Sequence, residues 1–198
     1  MPKRDKKKGK KRKKEELSDD LSVEDLIAAL KIERSAIYDT AEVFDNYPLK
    51  APFSYALIIR EKDTNELSYI VDEIPLNDQE KEAYAKIKSI LEANLEAPLK
   101  DESPLESFRR QFPKIIEKHR KLLKGLSNIG VKKIEYYLER NIAGYGKIDP
   151  LMADPNIEDI SCSGVGRPIY LWHRKYENIK TNIYFKDCLL YTSPSPRD

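Results

Sequence analysis

Two short runs rich in β-branched and aromatic residues constrain the fold of this chain more than any other feature. They are FSYALIIR at 53–60 and LSYIVDEI at 67–74, and the polar stretch EKDTNE separates them. Two such runs joined by a polar loop predict a β-hairpin. Because two strands alone are only marginally stable in water, the hairpin needs a helix to cover one face. The expected fold therefore mixes helix and sheet.

Helix start signals follow the hairpin closely, and the first of these helices, which begins at Asn77, is expected to cover the hairpin. Asn77 with Glu80, and Ser103 with Glu106, have the spacing of capping boxes, and Pro104 suits a first helical turn. Apolar residues then recur with helical spacing, which assigns them to a packed core: Tyr84, Ile87, Leu91 and Leu95 in the first helix, and Leu105, Phe108, Phe112, Ile115, Ile116, Leu122 and Leu123 in the second.

Two further features concern the helix ends. Pro113 is predicted to kink or split the second helix, because proline lacks the amide hydrogen and clashes with the preceding turn. A third helix is expected over 131–143, with Gly144 as its C-cap glycine.

The character of the chain changes after Gly144. Segments 157–163, 168–174 and 180–185 are predicted strands, the last two antiparallel. The predicted class is α+β: an N-terminal helical region with a hairpin, then a small mixed domain with antiparallel strands that is incomplete at its C-terminus. Because the sequence pattern stops after the third of these strands, we expect that strand to leave an open sheet edge and to promote aggregation.

Charge divides the chain unevenly. Residues 1–14 hold ten Lys or Arg and one acid, which leaves 26 bases and 33 acids in an acidic remainder. The basic arm, 1–16, is predicted to be disordered, and it either attracts RNA, DNA or anionic lipid or simply aids solubility. A short helix is expected after Ser22. With no apolar signal region or membrane-spanning run, the expected location is cytoplasmic.

Residue types that commonly carry chemistry form no recognisable site. Cys162, Cys188, His119 and His173 match no metal-ligand spacing, and both histidines are predicted to be structural. Glu158 and Asp159 are adjacent carboxylates, but neighbours on a strand point to opposite faces. We therefore expect neither a metal site nor catalytic residues.

An ordered set of residues within 141–185 carries a family resemblance. The set comprises Gly144, Tyr145, Gly146, Asp149, Pro150, Asp154, Glu158, Asp159 and Gly164. This segment, and more loosely 46–95, resembles the N-terminal region of type II/IV secretion-system ATPases, most closely the archaeal archaellum and type IV pilus motors.

The resemblance implies a hexameric ATPase that powers filament assembly or protein secretion, lies at the cytoplasmic side of the membrane and contacts a polytopic membrane platform protein. ATP and Mg²⁺ would be bound mainly by a catalytic domain that this sequence lacks. Arginines of the N-terminal region would approach phosphates or a neighbouring subunit, and the candidates here are Arg167, Arg174 and Arg140. Arginine suits that role because its planar fork binds phosphate oxygens bidentately.

The phosphate-binding motif of such ATPases is missing from the sequence. Gly9-Lys10 and Gly146-Lys147 are not followed by Ser or Thr, so the fragment alone should not hydrolyse ATP. We divide the chain into the arm (1–16), a helical and hairpin domain (17–143), a truncated second domain (144–186) and a tail (187–198) resembling a translated sequencing adaptor. The alternative function is a stand-alone binding module whose basic arm contacts nucleic acid or anionic lipid.

Overall fold

The computed structural model describes residues 41–186, which form a mixed α+β fold of a six-stranded sheet and four α-helices. The predicted basic arm, the helix expected after Ser22, Cys188 and the tail 187–198 lie outside these residues. Within 41–186, no helix has the length and apolar character needed to cross a bilayer.

The sheet combines strands from both ends of the described range. In chain order the strands are β1 (Ala41–Lys50), β2 (Ser54–Glu61), β3 (Leu67–Glu73), β4 (Ile157–Ser161), β5 (Pro168–His173) and β6 (Glu177–Tyr184). Their order across the sheet is β1-β2-β3-β6-β5-β4. All neighbours are antiparallel except β3 and β6, which are parallel where Ser68 and Tyr69 lie beside Lys180 and Thr181.

The helices lie between β3 and β4 in the chain. They are α1 (Asp78–Asn94), α2 (Pro104–Lys118), α3 (Asn128–Leu138) and the single turn α4 (Asp149–Met152). Short 3-10 helices occupy Arg120–Leu123 and Gly146–Ile148, and a π-helical turn, Glu139–Ala143, extends α3. Both predicted capping boxes, at Asn77 and at Ser103, are present.

Two prolines lie inside regular elements. Strand β1 includes Pro48, which is tolerated because β1 is an edge strand with a register shift there. Helix α2 is not split, since it continues past Pro113 to Lys118. Pro113 is solvent-exposed, so water can satisfy the carbonyl that loses its helical partner.

Gly144 is the C-cap residue at the end of the π-helical turn, as predicted, although its backbone is extended (φ −102°) and not left-handed. The reason for glycine is space. A Cβ at this position would clash with Asp149 Oδ1 and would lie 2.9 Å from the Arg140 carbonyl oxygen.

The apolar residues form separate sheet and helical cores. The sheet core unites the hairpin with the later strands through Ala56, Ile58, Tyr69, Val71, Leu151, Ile169, Leu171, Ile179 and Ile183. The helical core contains Ala83, Ile87, Leu91, Phe108, Phe112, Ile134 and Leu138. The stripe of α1 therefore packs on α2 and α3, and the expectation that it would cover the hairpin was wrong.

The sheet also crosses the domain boundary predicted near residue 144, since β3 and β6 come from opposite sides of it. Strand β6, expected to be an open edge, lies between β3 and β5. The premise of the aggregation prediction was therefore wrong, and the edges of the sheet are β1 and β4.

Candidate functional site

Arg140, one of the three predicted phosphate-contacting arginines, is committed to an internal ion pair. It lies in the π-helical turn after α3, is only 8% exposed, and donates to the Glu73 carboxylate at 2.5 Å. Burial disfavours its charge, but the attraction of Glu73 outweighs that effect and raises the pKa of Arg140. Tyr136 donates to the same carboxylate at 2.5 Å. This group joins α3 to the end of β3 and leaves Arg140 inaccessible to a ligand.

The other two arginines lie at opposite ends of β5. Arg174 follows the strand, is exposed and pairs with Glu158 (Nε to Oε1, 3.2 Å). Arg167 precedes it, in the turn that contains Gly164 and Gly166, both at positive φ. Arg167 is exposed and has no ion-pair or hydrogen-bond partner among residues 41–186. The structure therefore brings none of the three arginines together, and only Arg167 is both exposed and unpaired.

The first motif acid, Asp149, fixes the turn between the helices and the second group of strands. Its carboxylate is buried, accepts the Tyr145 amide at 3.1 Å and pairs with Lys50 at the end of β1. Gly144 leaves the space for this carboxylate. Pro150, the second residue of α4, is fully buried. Gly146 has a left-handed backbone, φ +61°, in the same turn.

The second motif acid, Asp154, is the centre of a buried polar network. Its Oδ2 accepts the hydroxyls of Tyr47 and Tyr69, each at 2.7 Å, and its Oδ1 accepts the Asn156 amide at 2.8 Å. Burial, reinforced by the Asp154 charge, raises the pKa of both tyrosines above the usual range. The two hydroxyls therefore stay protonated as donors, and the network joins β1, β3 and the entry to β4.

His173 completes this network from β5. Its Nδ1 accepts the backbone amide of Lys175 at 3.1 Å, and its Nε2 lies 3.1 Å from the Tyr47 hydroxyl. Because Nδ1 is an acceptor, the neutral ring carries its hydrogen on Nε2 and donates to Tyr47. Burial lowers the pKa of His173 although Asp154 and Asp45 oppose that effect. Its burial and bonds agree with the predicted structural role.

Glu158 and Asp159 are both exposed, because a register shift between Ile157 and Asp159 interrupts the alternation of β4. The prediction that they face opposite sides was made for a strand without such a bulge and stays a prediction. Among residues 41–186, no group of three or more His, Cys, Asp or Glu is arranged to hold a metal ion.

A groove of about 600 Å³ lies between the β1–β2 turn and helices α2 and α3. Its cations face carboxylates: Arg109 binds Glu139 through two hydrogen bonds of 2.9 and 3.0 Å, and Lys132 approaches Glu135. The third cation of the lining, Lys50, pairs with Asp149, so every cation of this groove already has a carboxylate nearby and the groove offers little to a charged ligand.

An exposed aromatic surface on β5 and β6 is the strongest candidate for binding a partner. Tyr170, Trp172 and Tyr184 are 37%, 50% and 46% exposed, while Ile169 and Leu171 point into the sheet core. We call these three residues the aromatic face. This face was not predicted from the sequence, although the alternation of residue types along 168–173 indicates which side chains lie on the outer side of the strand.

Cations border the aromatic face. Lys147 Nζ lies 5.8 Å from the centre of the Tyr184 ring. Lys180, opposite Tyr170, is held by Glu61 and Glu66 at 3.1 and 3.2 Å. The centre of a protein interface is typically rich in aromatic side chains and poor in charged residues. The aromatic face has this composition.

Comparison with known proteins adds one informative similarity. The chain is 42% identical over 120 residues to a protein of Methanocaldococcus jannaschii described as uncharacterized (MJ1288). The match covers 60% of this chain and 47% of the relative, so the chain spans about half the length of that protein. No protein-family model matches the chain.

Proposed function

We propose that this chain is the N-terminal region of a hexameric secretion-type ATPase, which positions and regulates a catalytic domain that holds ATP and Mg²⁺. The whole protein would drive assembly of a pilus or archaellum, or protein secretion, from the cytoplasmic side of the membrane. Its partners would be its own copies and a polytopic membrane platform protein.

The observation that carries the proposal is the ordered motif from Gly144 to Gly164. Its buried acids, Asp149 and Asp154, support a structural role, because each ties the later strands to β1 through side-chain contacts. A region that positions a catalytic domain needs such rigid connections between its elements, and it needs no catalytic residues of its own.

The aromatic face supplies the contact surface that this role requires. We assign it to another domain or subunit of the assembly, with Arg167 as the arginine available at its border. Arg140 and Arg174 are poorer candidates because Glu73 and Glu158 hold them.

The test begins with the complete coding sequence. We expect a phosphate-binding loop, G-x-x-x-x-G-K-[ST], about one domain downstream of residue 186. In the purified full-length protein, Arg167→Ala should lower ATP turnover or nucleotide-dependent assembly, whereas Arg174→Ala should have little effect. A reading frame that ends without a phosphate-binding loop would overturn the proposal.

The strongly basic segment 1–14 favours the second candidate, a stand-alone module that binds nucleic acid or anionic lipid. Salt-dependent binding of nucleic acid that disappears when residues 1–14 are deleted would support it, because counterion release makes such binding weaken steeply with salt. The same deletion should leave the ATPase of a secretion motor able to turn over.

A further inference from the structure

A cluster of unpaired cations lies at the end of α2, far in sequence from the basic arm. All its members are exposed and have no ion-pair or hydrogen-bond partner for their side chains in the described part of the chain: Lys114, Lys118, Arg120, Lys121 and Lys124. Glu117 is the single carboxylate within 114–124. We call these five cations the basic patch.

The basic patch differs from the charged surface of the neighbouring helix. On α1, Lys81, Lys86 and Lys88 each pair with an acid three or four residues away. Such pairs are the usual arrangement of a solvated helix face. Favourable interaction with the helix dipole explains a cation in the last turn, here Lys118, but not the cations that follow it.

The segment that carries the basic patch is anchored on its other side. Ile115, Ile116, Leu122 and Leu123 are packed against the helical core. The backbone is therefore held in place over α2 and the following 3-10 helix, Arg120–Leu123, while the cations project to solvent. A fixed set of positive charges loses less freedom on binding than a flexible arm does.

The surroundings of the basic patch indicate the kind of partner. A protein interface usually has an apolar centre, but no residue within 100–140 is among the exposed large hydrophobics. Single-stranded nucleic acid is commonly bound by stacking on several aromatic rings, and the segment 114–124 has no Phe, Tyr or Trp and a single, half-buried histidine, His119. A segment that exposes mainly cations and is held in place instead suits a partner whose negative charges are spread over a broad surface.

We propose that the basic patch binds the phosphate headgroups of an anionic membrane surface and so holds the helical layer against the bilayer. This deepens the proposed function, on which it rests for the peripheral membrane location. Each lysine or arginine near anionic lipid adds about 1 kcal/mol, and the attraction is screened by salt, so several cations along one anchored segment favour reversible binding.

The test measures binding of the full chain to sedimented vesicles made of equal parts phosphatidylglycerol and phosphatidylcholine. Each lysine lost near such a surface weakens binding about fivefold, so Lys118→Gln with Lys121→Gln should weaken it about 25-fold. Vesicles of phosphatidylcholine alone should not bind. The arm is present in every protein compared and contributes equally.

The matched control is Lys100→Gln with Lys132→Gln, which removes the same formal charge from exposed lysines outside the basic patch. It should change vesicle binding less than twofold, and circular dichroism should show that both variants are folded. Equal weakening by the two variants, or no binding of the unaltered chain to anionic vesicles, would overturn the inference.

A patch variant that loses affinity for double-stranded RNA but keeps its affinity for vesicles would also overturn it. Vesicle binding requires no nucleotide and no catalytic domain. Failure here would leave the ATPase proposal standing, whereas a reading frame without a phosphate-binding loop would leave the measured vesicle binding unchanged.

Discussion

Asp154 accepts more hydrogen bonds than any other motif residue, and it stabilises the fold by providing an acceptor for donors that are shielded from water. Two tyrosine hydroxyls and one backbone amide donate to its carboxylate. A buried donor left without an acceptor costs about 1–3 kcal/mol, which exceeds the net gain of an ordinary hydrogen bond. The carboxylate is therefore better explained as a structural centre than as a reactive group.

Replacement of Asp154 should destabilise the protein strongly. Asp154→Ala leaves the hydroxyls of Tyr47 and Tyr69 without their acceptor, so we expect a loss of about 3 kcal/mol in the free energy of unfolding. Urea denaturation measures it. Asp159→Ala, an exposed carboxylate on β4, is the control and should change stability by less than about 0.5 kcal/mol. Equal effects would contradict the network.

His173 should make stability depend on pH above the range in which carboxylates titrate. Its pKa is lowered in the folded protein, so the unfolded chain binds a proton more readily. The stabilisation is fully present above the unfolded pKa of about 6.5 and is lost as pH falls through the folded pKa. Protonation also removes the acceptor that Nδ1 offers to the Lys175 amide.

The measurement compares urea midpoints near pH 8 and near pH 5.5, a range that brackets the usual pKa of about 6.5. The unaltered chain should lose stability toward the lower pH. His173→Asn keeps an acceptor near the Lys175 amide but cannot titrate, so its midpoint should change less between the two conditions. A parallel decline in both proteins would assign the pH dependence to groups other than His173.

Among the elements, the junction from α3 to α4 depends on close packing at Gly144. Gly144→Ala places a methyl group against Asp149 Oδ1 and the Arg140 carbonyl oxygen. The carbonyl belongs to the backbone, so it cannot shift without distorting the π-helical turn. We expect a loss of about 2 kcal/mol in thermal or urea unfolding. Gly146→Asn is the matched control, since asparagine tolerates a φ of +61° and nothing lies within 4 Å. A neutral Gly144→Ala would show that the junction relaxes freely.

Ion pairs in different elements should differ greatly in their contribution. Glu73→Ala leaves Arg140 buried without its partner, and such a loss costs about 3–5 kcal/mol. Glu158→Ala breaks the exposed pair with Arg174 and should cost less than about 0.5 kcal/mol. Comparable losses in denaturation would mean that the Glu73–Arg140 pair is solvated in solution.

Local signals predicted the elements well and their assembly poorly. The hairpin 53–60 and 67–74 and both capping boxes are short-range patterns, readable from adjacent residues. The parallel pairing of β3 with β6 joins residues more than a hundred positions apart, and no local pattern encodes it. The same distance hid the network around Asp154, whose partners come from β1, β3 and β5.

For the whole molecule, the central question is whether the helical layer and the later strands fold as one unit. The division at residue 144 predicts two domains, yet the sheet contains strands from both sides of that boundary. Tyr136, Tyr137 and Arg140 of the helical layer also bind the end of β3 and the residue after it. Shared backbone pairing and buried charge favour a single cooperative transition.

The one tryptophan makes this cooperativity measurable. Trp172 lies on β5, so its fluorescence reports on the later strands, whereas far-ultraviolet circular dichroism is dominated by α1, α2 and α3. We expect both signals to give the same urea midpoint and slope. Glu73→Ala weakens the attachment of the helices to β3 and should separate the two transitions. Separate midpoints in the unaltered chain would instead establish the boundary at residue 144 as a true domain boundary, with the β3–β6 pairing too weak to couple the two halves.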